Sequence, residues 1–485
     1  MTGRLDLGVG LALMPGLVDD LDRVEGLVDC LEVEPQTFWW ETGDPDEPFR
    51  LQADEVLALA RRVDAVLAHG VSSPVGGSRP PHPHLARLFR ETAHLLGARL
   101  ASEHLAFNHA GPEDGEYTTA FFLPPRQTPA GVEVAAASIA ALRHGLEVPF
   151  SVETPVNYLR PRPDEMDDGA YVAAVAERAD CGILLDLHNI WANERNGRQD
   201  ARAYVAQLPL DRVWEVHLAG GFERGGYWLD AHSGTLHPGL LALAADVLPR
   251  LPQLRAVVYE IMPEFVERDG RDLLRPDLEA VHRLVDPLRH GTTRAPNEPQ
   301  PAAEAAPDAP ETDGLPDSDG PAGPAAWEDA LARLAIGREA APGDALAGDL
   351  AADPAVGLLR DLVGAGRSGR VVSSLPLTLR LLVTTDGVAG VDALLTAYAA
   401  ATEPALWGSD EGRRFARWLA EQAADRPLVL AALALDRAAL DSVRAGRPQP
   451  TEVAVDPLAL VDAIHHDRDP GDLPTGRYLV TVGGP

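Results

Sequence analysis

The residues of this chain best suited to chemistry lie between Trp214 and His232, in WEVHLAGGFERGGYWLDAH. Glu215 and His217 stand two apart in a short apolar run, and Asp230 and His232 stand two apart beyond a glycine-rich turn. Side chains at i and i+2 of an extended strand point the same way, so each pair shares a face. Imidazole and carboxylate brought together make a ligand set for a first-row transition metal. One such pair is a weak signal. Taken singly, a strand histidine is more often a satisfied core group, and a carboxylate at a strand end often caps the next helix.

The pattern recurs along the chain. Glu32 and Glu34 close CLEVEP, His69 closes LAHG, and Glu103 and His104 sit in ASEHLAF. Glu153 and Asn157 lie in SVETPVN, Asp186, His188 and Asn189 in LLDLHN, and Glu260 in VVYEIMP. Burying so many ionisable groups together costs several kcal/mol per unpaired charge. Bound cations would neutralise such a cluster most directly, and the histidines make that cation a transition metal. The ligand count exceeds what one ion can take up and points to two or three. His82, His84 and His94, on or near a helix, read as solvated, and His237 before Pro238 reads as a helix cap.

These groups need elements to position them. Eight short apolar segments run from Leu7–Leu13 through Cys30–Val33, Val66–Ala68, Leu100–Leu105, Phe150–Val152, Ile183–Leu185 and Val213–Leu218 to Val257–Tyr259. Between them lie runs such as HPHLARLFRETAHLLGAR, with apolar residues at three- and four-residue spacing, as amphipathic helices require. Eight β/α units in residues 1–290 predict an α/β fold, a (β/α)8 TIM barrel with its site at the C-terminal strand ends. A doubly wound sheet is the alternative, but no GxGxxG turn follows the first strand.

Residues 291–326 are rich in proline, alanine and acid, which predicts a flexible linker unable to build a core. Residues 327–485 return to helical patterning and predict a small, mostly α-helical domain, with GRYLVTVGGP able to add a strand. Thirteen of the fifteen histidines precede the linker, so the chemistry is expected there. A formal charge of −32 argues against nucleic acid or an anionic membrane as partner. The chain contains no lysine, which removes a Schiff-base mechanism and a Walker-type phosphate loop. Two cysteines, Cys30 and Cys181, cannot form a disulfide framework or ligate an iron–sulfur cluster, and they suit a reducing cytoplasm. No run reads as a signal peptide or a membrane span.

HG at His69, SEHLAF around His104, SVETP, LLDLHN, EVHLAG around His217, the DAH of Asp230–His232 and YE-x-MP at the last strand resemble, in order and spacing, the motifs of one family. It is the multinuclear non-heme iron-dependent oxidative enzymes, and the likeness covers about residues 5–285. That resemblance implies a TIM barrel with two or three iron ions, mixed Fe(II)/Fe(III). It also implies O2 as co-substrate and a ribosomally synthesised precursor peptide, usually modified at cysteine. It makes His69, His104, Glu153, Asp186, Asn189, His217, Asp230, His232 and Glu260 the expected metal ligands, with Glu215 and His188 as outer-sphere or alternate ligands. Two positions depart from the family pattern: Thr154 stands where the family usually has Asn, and His188 where it often has Asn. The segment SSLPLTLRLLV and the helices after it are similar to partner proteins that deliver peptide to family members, which implies a fused recruiting domain. Two other readings compete with this one. They are a different divalent-metal barrel enzyme, such as a xylose-isomerase-like isomerase or a zinc endonuclease, and a metal-holding protein that only binds peptide.

Overall fold

A computed structural model describes residues 4–44, 47–112, 115–289, 323–340, 343–471 and 473–483. The eight apolar segments become eight parallel strands that close a barrel. They are β1 (Gly8–Ala12), β2 (Cys30–Val33), β3 (Val66–Gly70), β4 (Ala101–His104), β5 (Phe150–Glu153), β6 (Gly182–Asp186), β7 (Val213–Ala219) and β8 (Ala256–Glu260). Neighbours in sequence are neighbours in the barrel, and β1 closes it against β8. Leu11, Leu31, Ile183, Leu185, Val216 and Val257 are fully buried, as expected of strands covered on both faces.

The helices that cover the strands are α1 (Ala53–Ala60), α2 (Pro83–Leu96), α3 (Pro129–Arg143), α4 (Asp168–Arg178), α5 (Leu187–Arg195), α6 (Ala201–Gln207), α7 (Pro238–Val247), α8 (Pro263–Asp269) and α9 (Leu274–Arg289). Several carry their own start signals. Thr128 and Asp200 accept a hydrogen bond from the third residue beyond them, and His237 caps α7 as its sequence predicts. His84 differs from expectation. It lies on the inner face of α2, buried, with a ring nitrogen 2.9 Å from the Arg87 guanidinium.

Residues 290–322, on which most of the expected linker falls, lie outside the described residues. The chain resumes in α10 (Pro324–Ala335), followed by α11 (Ala345–Ala351), α12 (Pro354–Ser374), α13 (Pro376–Ala401), α14 (Gly408–Gln422), α15 (Pro427–Ala445) and α16 (Pro457–His465). The last segment does add a strand, Thr475–Val482, antiparallel to Gln449–Val455. Although the sequence reading found no membrane-length run, α13 is long and apolar enough by length and composition to cross a membrane. Its helical backbone is broken at Gly387 (φ 73°, ψ 168°), and Leu381, Leu382 and Tyr398 are buried in the helical core.

The chain divides into two compact units whose limits are not contiguous in sequence. The first comprises Met1–Trp39, Leu51–Phe107 and Leu123–Glu328. The second gathers Asp329–Pro485 together with Trp40–Arg50 and Asn108–Phe122, segments that follow β2 and β4 in the chain.

Candidate metal centre

His104, Glu153, Asp186 and Glu260 are the last residues of β4, β5, β6 and β8, and His69 is the penultimate residue of β3. Parallel register sets them level, with His104 opposite Glu153, Asp186 opposite His217, and Ala219 opposite Glu260. Beyond β7 a hairpin, Gly221–Arg224 with Tyr227–Asp230, returns the chain to the barrel mouth and delivers Asp230. Its close seating explains one glycine: a Cβ on Gly221 would stand 2.3 Å from the Leu229 carbonyl and 2.7 Å from His188 Nε2. His232 follows with φ 45°, a left-handed conformation rare for a residue with a side chain and concentrated at functional sites.

The side chains converge. Glu153 Oε2 lies 3.3 Å from His69 Nε2 and 3.0 Å from His104 Nε2. His217 Nδ1 lies 3.1 Å from Glu260 Oε2 and 3.9 Å from Glu153 Oε1. His232 Nε2 lies 3.1 Å from Asp230 Oδ1 and 3.5 Å from Glu260 Oε2. Four overlapping triplets bring their donor atoms within 4.8 Å of one another: His69–His104–Glu153, Glu153–Asp186–His217, Glu32–His217–Glu260 and Asp186–His232–Glu260. Two ligands at about 2.1 Å on an octahedral ion stand about 3 Å apart, which is the spacing found here. Glu153, Asp186 and Glu260, each shared between two triplets, have the two oxygens that bridging adjacent ions requires.

Proximity has not become hydrogen bonding. Glu153 Oε2, Asp186 Oδ2, Asn189 Oδ1, both Glu215 oxygens, His217 Nδ1 and Glu260 Oε2 are buried without an aligned hydrogen-bond partner. Glu153 Oε2 sits 3.0 Å from an imidazole nitrogen and still lacks one, so atoms of both kinds face a common point rather than each other. Orphaned buried acceptors are costly, and a cation among them removes the cost. The donor set, mixed nitrogen and carboxylate oxygen, fits iron or another borderline metal.

The titrations carry the same stress. Burial alone would lower His104, but the Glu153 and Glu103 carboxylates beside it raise it to about 9. Against the same burial, neighbouring carboxylates push His217 and His232 up, and the imidazoles hold Glu153, Asp230 and Glu260 down. Burial pushes Asp186 and Glu215 well above the carboxylate range, and nearby carboxylates push them further. Protons on these two offset charge that a bound cation would otherwise offset, and cations would displace them.

An outer ring orients the imidazoles. His69 Nδ1 is 2.8 Å from Ser102 Oγ, and His104 Nδ1 is 3.0 Å from the Gly70 carbonyl. The Trp228 indole N–H donates to His188 Nε2 at 3.1 Å. Indole can only donate, so the His188 proton is on Nδ1 and is given to Asp230 Oδ1, 3.1 Å away. His188 therefore has both ring nitrogens engaged and holds Asp230 in place. Thr154, the other departure from the family pattern, accepts a hydrogen bond from the Asp186 amide through its hydroxyl. Asp186 splits its roles: Oδ1 caps α5 by accepting the Asn189 amide, and Oδ2 has no partner.

Of the nine residues expected as ligands, His69, His104, Glu153, Asp186, His217, His232 and Glu260 fall within the triplets. Asp230 contacts His232 but belongs to none of them, and Asn189 contributes only its unpartnered buried oxygen. Glu32, a strand-end carboxylate outside the expected ligand set, brings both its oxygens close to His217 Nε2, at 3.1 and 3.2 Å. Its position two residues into β2, on the inward face shared with Cys30, was the available signal.

The family model described as RiPP precursor modification enzyme MbnB/TglH/ChrH matches residues 8–275. The UPF0276 protein PA3283 of Pseudomonas aeruginosa is 33% identical over 284 residues, covering 58% of this chain and 91% of that protein. A UPF0276 protein of Streptomyces avermitilis is 31% identical over 251 residues, and the match spans 50% of this chain and about half (49%) of that relative. Among solved structures, a xylose isomerase domain protein from Planctomyces limnophilus aligns with 57% of this chain and 95% of that chain, at 13% identity and a TM-score of 0.38.

Proposed function

The chain belongs to the MbnB/TglH/ChrH family of RiPP precursor modification enzymes, and from that membership we propose that it oxidatively modifies a ribosomally synthesised precursor peptide, at cysteine, using two or three iron ions and O2. One observation carries the metal part of this reading. Buried carboxylate and imidazole atoms from β5, β6, β7 and β8 face one another at ligand spacing, without the hydrogen bonds that would satisfy them.

Iron held there supplies a Lewis acid that acidifies a substrate thiol and the redox capacity for oxidation by O2. The chain's own residues do the rest. His69, His104 and Glu153 would hold one ion, Glu153, Asp186 and His217 a second, and Asp186, His232 and Glu260 a third. His104 and His232 have side chains 21% and 24% exposed while His217 is fully buried, so the peptide approaches past the first two. The barrel wall behind His217 excludes water and keeps the field of these charges unscreened. The chain's own thiols, Cys30 and Cys181, are buried and take no part.

The helical region from Asp329 onward is proposed to recruit the precursor peptide, on the strength of its SSLPLTLR start. Metal analysis of protein purified without oxygen tests the whole reading, followed by incubation with a cysteine-containing precursor peptide with and without O2. Two or three irons per chain and an O2-dependent mass change are expected. Protein free of iron, or product formed without O2, would refute it.

A further inference from the structure

We propose that Glu32 is a positioning residue of the centre: it accepts the Nε2 proton of His217 and so fixes the tautomer whose Nδ1 lone pair faces Glu153, Asp186 and Glu260. The inference rests on reading that ring as a metal centre.

His217 projects inward from the middle of β7 and is fully buried, so its two nitrogens see two different layers of the barrel interior. On the mouth side, Nδ1 stands 3.1 Å from Glu260 Oε2 and 3.9 Å from Glu153 Oε1, and has no hydrogen-bond partner. Nδ1 is the nitrogen that faces the carboxylates of the ring, so it is the one that must give up its proton to a bound cation. On the floor side, Nε2 has both Glu32 oxygens within 3.2 Å, while Glu215 Oε1 is 4.0 Å away and beyond hydrogen-bond range. The Nε2 proton therefore goes to Glu32. Metal-ligating histidines commonly give their second N–H to a carboxylate, which sets the tautomer and strengthens the ligand.

Glu32 is a poor choice if its purpose were stability. It is 2% exposed, and among the described residues no arginine pairs with it. Burying such a carboxylate opposes folding unless its charge is used, and the neutral isostere would be easier to bury. The two roles therefore predict opposite signs for one substitution. A structural hydrogen bond predicts that Glu32→Gln lowers stability. A positioning role predicts metal-free protein that melts no lower than wild type but binds metal less well.

The experiment is anaerobic Fe(II) titration of full-length wild type and Glu32→Gln against a competing chelator, with thermal melting of both metal-free proteins. The expected result is an unchanged number of ions at saturation, a 10- to 100-fold weaker affinity for one of them, and an undiminished melting temperature. Equal affinities overturn the proposal, and so does a saturating count lower by one, which would make Glu32 itself a ligand. Should the variant fail to fold, the tautomer is read directly in Zn(II)-loaded wild type by 15N-histidine NMR, with His217 assigned through a His217→Gln variant. A proton on Nε2 supports the proposal, and a proton on Nδ1 overturns it. Wild type that takes up no Fe(II) would sink the metal centre itself, whereas iron uptake that Glu32→Gln matches would sink only the role of Glu32.

Discussion

Glu153 Oε2 stands 3.0 Å from His104 Nε2, and the β4–β5 register places the two residues directly opposite each other. The same oxygen is 3.3 Å from His69 Nε2, so three strands meet at one carboxylate. Glu153 also belongs to the Asp186–His217 triplet, which makes it the natural bridge between neighbouring ions. Glu153→Gln keeps the shape and loses the charge. It should release at least one ion and weaken what remains by more than about 100-fold, beyond the range typical of an outer-sphere partner. Elemental analysis after desalting checks this, and wild-type iron content in the variant would remove Glu153 from the ligand set.

Metal loading should stabilise the barrel and leave the helical region alone. A ligand that binds only the folded state adds about 2.7 kcal/mol at a hundred times its dissociation constant. For a unit of this size that is a rise in melting temperature of roughly 4 °C. The ligands all lie in the first compact unit, so calorimetry with Fe(II) and then with chelator should move one transition and not the other. A uniform shift of both would show that the metal acts elsewhere.

The barrel was legible because each strand is a short apolar run between helical patterns, and seven of the nine expected ligands reach one place because they lie in, at the ends of, or just beyond those runs. What escaped had physical causes. Glu32 looks in sequence like any strand-end carboxylate, and only closure of the barrel brings β2 across from β7 to His217. His84 sits on a polar-looking stretch of α2, and its burial follows from which face the helix turns inward. Trp40–Arg50 and Asn108–Phe122 group with Asp329–Pro485, and nothing local in their sequence marks them for that unit. In α13 the break at Gly387 follows the polar Thr384–Asp386, and the Asp-Gly pair is the local signal for it.

His188 links Asp230 to Trp228, and its removal should be felt at both ends. His188→Phe deprives Asp230 of one donor and leaves the Trp228 indole N–H without its acceptor, costing about 1–3 kcal/mol for the orphaned group. Adding Trp228→Phe removes the orphan and should recover part of that loss. Urea denaturation of the two singles and the double gives the coupling directly. Strict additivity would mean that the two rings do not share this bond.

Glu328 sets a pH dependence independent of the metal ligands. It is 1% exposed near the start of α10, and its carboxyl group accepts the Ser78 amide at 2.8 Å and the Ser78 hydroxyl. The adjacent Trp327 is buried, with its indole N–H donating to the Pro124 carbonyl. Burial raises Glu328 to about 7, partly offset by the two Ser78 donors and Arg79. A folded value above the unfolded one means that the folded state binds the proton more tightly. Its contribution is thus complete below about pH 4.5 and is lost as pH climbs through 7, by about 3 kcal/mol across that window. Chemical denaturation of wild type and Glu328→Gln at pH 5 and pH 8 tests the sign. Wild type should lose more stability over that interval than the variant, because the amide cannot ionise. Parallel losses in the two proteins would show that Glu328 ionises as readily in the folded protein as in the unfolded chain.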